Sequence, residues 1–225
     1  MRMLFVFLAG LAMNPMVEAS VGAEPTGGLT AAAAEPVRVF VLAGQSNMEG
    51  QSVAVVPAGP LERLQRVVLV LDLSHGELTS MQYHPSADWL AEHGYDTNLA
   101  RCVHIPVATD LPTPRNIREQ PWVVLHELAH AYHDQVLGFD DPRIRAAYEA
   151  FRRGGHGDQA LLHDGTRTRH YGLTDPKEFF AEMTEAFFGS NDFQPFNRAE
   201  LRTTEPAICD LLESVWREDA PATTP

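Results

Sequence analysis

The chain has 225 residues, 44% of them hydrophobic and 21% charged, with a formal net charge of -13. That is globular composition, enough for one core-forming domain plus a leader and a tail. The acidic balance argues against nucleic acid and against an anionic membrane surface as partners.

In chain order, Arg2 and the apolar stretch Met3 to Met13 come first, then Val17-Glu18-Ala19 and Val21-Gly22-Ala23. Together they read as an export signal over residues 1–23, cleaved after Ala19 or Ala23. The apolar run is too short to span a bilayer. A secreted, periplasmic or cell-envelope protein is expected, with no stable membrane insertion after cleavage. Residues 24–55 read as a linker, low in complexity up to residue 36, that carries a strand-like segment from Val37 to Ala43. Residues 56–218 read as the folded domain and 219–225 as a disordered tail.

Within that domain, Arg66 to Leu73 and Cys102 to Ala108 are rich in β-branched and apolar residues and predict strands. The second half predicts helices. One runs from Pro121 to Leu137 and stops at Gly138; another starts at Pro142 behind Asp140 or Asp141 and ends before Gly154-Gly155. Asp164-Gly165 signals a hairpin. A third helix opens at Asp175-Pro176 and ends at Gly189, and a last one runs from Glu205 or Pro206 through Trp216. Strands first and helices later, without strict alternation, indicate an α+β fold. Trp122 and Trp216 are expected in the core. Cys102 and Cys209 either pair as one disulfide or sit as two buried thiols.

The chemistry is concentrated in His126-Glu127-Leu128-Ala129-His130. On a helix, positions i and i+4 project from one face, so both imidazoles can reach one ion. Glu127 lies beside them, where a carboxylate can take a proton from water activated by zinc. His133 lies off that face and is expected as a partly exposed helix residue. Val136 stands where an extended three-histidine motif needs another His, so that class is excluded.

A third ligand must come from another helix. Asp175 to Phe188 carries Glu178, Glu182 and Glu185 at i, i+4 and i+7 among several phenylalanines. Carboxylates on a helix this apolar are expected to be partly buried and to need a partner, which a cation would supply. The alternatives are Glu178 as half of a capping box with Asp175, and Glu182 and Glu185 as a solvated face. Spacing alone leaves Glu178 and Glu182 level as the ligand.

The pair His126 to His130 and Tyr171-Gly172-Leu173-Thr174-Asp175-Pro176-Lys177-Glu178-Phe179-Phe180-Ala181-Glu182 resembles the catalytic domain of the anthrax lethal factor family of secreted zinc metallopeptidases. The resemblance implies a zincin-like fold and one zinc per chain, held by His126, His130 and Glu178. It implies Glu127 as general base, Tyr171 as oxyanion donor and Glu182 as the carboxylate orienting a histidine. The substrate would be a peptide or protein. A broader similarity, to bacterial proteins carrying H-E-L-A-H-A-Y-H-D and N-D-F-x-P-F segments, spans roughly residues 57 to 218. His170 is expected as a surface or structural residue, with a place in the cleft beside Tyr171 as the alternative, because a strand puts neighbours on opposite faces.

Val39 to Gly50 resembles a different family, the nucleophile segment of sialate O-acetylesterases and related carbohydrate esterases, which implies Ser46 as nucleophile. The supporting blocks are absent or out of order. Asp72-Leu73-Ser74-His75 follows Ser46 too closely, and no D-x-x-H follows Gly189-Ser190-Asn191-Asp192. The segment is therefore expected to be a remnant strand. A truncated esterase and a zinc-binding module without turnover are the competing functions.

Overall fold

The computed structural model describes residues 63–64, 66–71 and 78–217, with the backbones of two further strands, Met3–Leu8 (β1) and Arg38–Ala43 (β2). Those two pair in parallel, Met3 opposite Arg38. The rest of the export signal and of the linker, Ser46, and the tail 219–225 lie outside the described residues.

The main sheet has three strands. Val68–Leu71 (β3) runs parallel to a later central strand, and Gln82–Tyr83 (β4) lies antiparallel to it at the edge. A short helix, Ala87–Glu92 (α1), follows β4 and is capped by Ser86. The central strand is Cys102–Ile105 (β5), buried at all four positions. It is shorter than the sequence predicts because the chain turns at Pro106 into a tight helical turn, Ala108–Asp110. Pro114–Glu119 (α2) is capped by Thr113 with Pro at its first position.

Val123–Tyr132 (α3) carries the His-Glu motif and passes into a wider π-helical turn, His133–Leu137. Gly138, at φ 83°, ends it in a conformation open to glycine. Pro142–Gly154 (α4) follows, with Asp141 as its cap. The hairpin at Asp164-Gly165 forms between Ala160–Leu161 (β6) and Arg167–Thr168 (β7). Pro176–Phe188 (α5), Arg198–Thr204 (α6) and Pro206–Arg217 (α7) complete the chain. The fold is α+β.

Helices α3 and α5 pack face to face at the centre, because both are buried on nearly every side. Trp216 of α7 stacks on Tyr132 at 4.4 Å and meets Phe180 and Phe188, joining the three helices around aromatic rings. Trp122 is also buried, pressed on Gly189, where a Cβ would come within 2.0 Å of its ring. Cys102 and Cys209 are both buried free thiols. Among the described residues no helix is long and apolar enough to cross a membrane.

Candidate metal centre and active site

Two helices supply the side chains that could hold a metal ion. From α3, one turn apart, His126 and His130 project together, ring centroids 4.8 Å apart. From the first turn of α5 comes Glu178. The Asp175 side chain accepts from the backbone N–H of Lys177 and Glu178, which fixes where that turn begins. Half of the capping box therefore forms, while the Glu178 carboxylate turns to the histidines instead. Its Oε2 lies 3.1 Å from His126 Nε2 and 3.5 Å from His130 Nε2.

This donor set fits zinc. The three ligand atoms lie within 4.8 Å of one another. Bonds of about 2.0–2.1 Å in a tetrahedron place neighbouring ligands about 3.3 Å apart. The two distances from Glu178 bracket that spacing. Two imidazoles and a carboxylate also leave a fourth position open, as hydrolytic zinc sites require. His126, His130 and Glu178 can thus hold a metal ion.

Charge at the centre follows from burial and pairing. Burial pulls the His126 imidazolium down, but its bonds to Glu178 and Glu185 outweigh that and hold it well above the ordinary histidine range. Burial pushes Glu178 up, and the two histidines more than reverse it, holding the carboxyl well below its usual range. Glu127 is pushed up chiefly by burial, with His126 and His130 opposing. Its Oε2 accepts the backbone N–H of Tyr83 at 2.7 Å, a bond from the edge strand to the middle of the motif. Tyr83 is tied at its other end too, its hydroxyl donating to Asp134 at 2.6 Å.

A cavity of about 960 Å³ runs over this centre. Glu127 and Tyr171 line it together with His126, His130 and Glu178; the edge segment 79–83 and residues of α2 line it as well. Tyr171 stands in a tight helical turn, Tyr171–Leu173, and is 48% exposed. Burial and Glu178 both raise its hydroxyl pKa. The strand expected through His170 and Tyr171 is absent, because His170 caps that turn by accepting from the Gly172 N–H. His170 is fully buried between Phe151 and Phe193 and does not line the cleft.

Two expectations from the sequence change. His133 is fully buried, its ring against Phe139 and Phe180, because α3 is covered on the side away from Glu178 as well. Glu182 and Glu185 are buried behind His126, in line with carboxylates on so apolar a helix and against the solvated-face alternative. The carboxylate on His126 Nδ1 is Glu185, at 2.7 Å, while Glu182 stands 3.7 Å away. Asp192, which the sequence placed in the N-D-F-x-P-F segment without a role at the site, also lines the cleft, its pKa raised to about 6 by burial and by Glu185. Comparison with protein-family models, with characterised proteins and with solved structures finds no match to this chain, so the reading of the site rests on its own geometry.

Proposed function

We propose that this chain is an exported zinc metallopeptidase of zincin-like fold that hydrolyses a peptide or protein substrate. The observation that carries the reading is the convergence of His126, His130 and Glu178, with Glu127 and Tyr171 lining the same cleft. His126, His130 and Glu178 would hold the zinc, which when bound would supply Lewis acidity toward a carbonyl and lower the pKa of a water to near 7. Glu127 takes the proton of the attacking water and returns it to the leaving amine. The Tyr83 N–H holds one oxygen of that carboxylate and leaves the other for the proton. Tyr171, exposed in the cleft, donates its O–H to the oxygen that gains negative charge.

A module that merely stores zinc has no use for a cleft of about 960 Å³ or for an acid–base group at its metal. Both features support turnover.

Metal content by elemental mass spectrometry, on wild type beside Glu178→Ala, tests the reading first. One zinc per chain, lost with Glu178, is expected, followed by cleavage within a peptide library. Wild type that stays free of metal after incubation with zinc would end the metallopeptidase reading.

A further inference from the structure

We infer that Glu185, rather than Glu182, is the carboxylate that positions His126 for the metal, an inference that rests on the metal centre proposed above. A neutral imidazole carries its single hydrogen on one of its two ring nitrogens; with Nε2 facing the metal position that hydrogen belongs on Nδ1, and the Nδ1 partner is Glu185 Oε1, 2.7 Å away. The nearest oxygen of Glu182 is at 3.7 Å, beyond hydrogen-bond reach. Both carboxylates are almost fully buried, so water does not level the difference.

The register of α5 explains the arrangement. Glu178 and Glu185 are seven residues apart and so share a face two turns apart. Glu178 addresses the outer nitrogen of His126 and Glu185 the inner one, so a single helix grips both ends of the ring. Fixing the hydrogen on Nδ1 leaves the Nε2 lone pair directed at the metal position, and the carboxylate behind it raises the ligand's basicity.

Glu182 lies between the two but orients neither histidine near it. Its Oε2 is 3.9 Å from His170 Nδ1, and that nitrogen is already an acceptor from the Gly172 N–H. Among the described residues Glu182 Oε2 has no hydrogen-bond partner. A rival arrangement uses the same atoms, because His126, Glu182 and Glu185 also converge closely enough to hold a cation of their own. In that case Glu185 would be a ligand to a second ion.

Zinc affinity, measured by competition with a chromophoric chelator, separates these outcomes across wild type, E178A, E182Q, E185A and E185Q. The visible spectrum of the cobalt-substituted forms reports ligand geometry independently of turnover. E185A is expected to bind zinc about 10–100-fold more weakly and to shift the cobalt bands. E185Q should recover part of that loss, since its carbonyl still accepts the N–H, and E182Q should stay within about threefold of wild type. If E185A does not fold, the near-isosteric E185Q set against E182Q decides the question. Wild-type affinity in both Glu185 variants, an equal loss in E182Q, or two ions per chain would overturn the inference. Zinc lost in E178A but kept in the Glu185 variants removes this inference alone. Wild type that binds no zinc removes the metal centre and the inference with it.

Discussion

Glutamine at position 127 keeps the shape of the side chain and an oxygen for the Tyr83 N–H, but it cannot accept the proton of a water. Glu127→Gln is therefore expected to hold one zinc per chain and to lose about 10²–10⁴-fold in peptide hydrolysis, measured with a quenched fluorescent substrate. His133 makes a separate case at the same scale. Burial lowers its pKa from the ordinary 6.5 to about 4, with the charge of His130 adding to it. Between those values the unfolded chain takes up a proton that the folded chain refuses. The stabilisation is thus complete above pH 6.5 and is lost as pH falls through about 4. The slope reaches at most about 1.4 kcal/mol per pH unit. His133→Leu keeps an apolar filling between Phe139 and Phe180 and should flatten that acid slope in chemical denaturation series. A slope unchanged from wild type would show that other groups carry it. His170, lowered to about 3 by burial, adds to the slope in the same direction.

Helix α5 carries Glu178, the third ligand of the proposed metal centre, and both of its ends are open to test. Asp175→Ala removes the acceptor for two backbone N–H groups in the turn that presents Glu178, a loss of about 1 kcal/mol in folding stability. Zinc affinity should fall with it, since the ligand's own turn loosens. At the other end, Gly189→Ala drives a methyl group into the Trp122 ring, and a loss of about 1–3 kcal/mol is expected from thermal melts. The ends of this helix and of α4 were legible in the sequence because Asp-Pro marks each start and glycine each stop. The motif on α3 was legible for the same kind of reason, since i and i+4 is a geometric statement. The short helices α1, α2 and α6 were not, although Ser86, Thr113 and Asn197 cap them. Six or seven residues are too few to show a helical period. Burial of His133 was hidden for another reason. Sequence patterning assigns a polar residue off the motif's face to solvent, and α3 has almost no solvated face.

Across the whole molecule, a metal bridging α3 and α5 would join the two helices that organise the core. Zinc at about a thousand times its dissociation constant adds about 4 kcal/mol to folding stability. That corresponds to a rise of roughly 10 °C in Tm for a domain of this size. Calorimetry with and without a chelator should show the shift in wild type and none in Glu178→Ala. Equal melting temperatures in both wild-type samples would mean that the pair of helices is held by packing alone. The acidic chain, at -13, favours a dispersed protein at neutral pH and leaves the site's function to local geometry.

The Tyr83 amide sits on the outer side of an edge strand, the position from which sheets usually recruit a neighbouring chain. Here it is already engaged by Glu127, and the phenol of the same residue is bolted to the π-helical turn by Asp134. That amide is a built-in gauge. Its deuterium uptake should be slow while the carboxylate is in place and fast in Glu127→Ala, so one backbone proton reports from outside whether the base is seated.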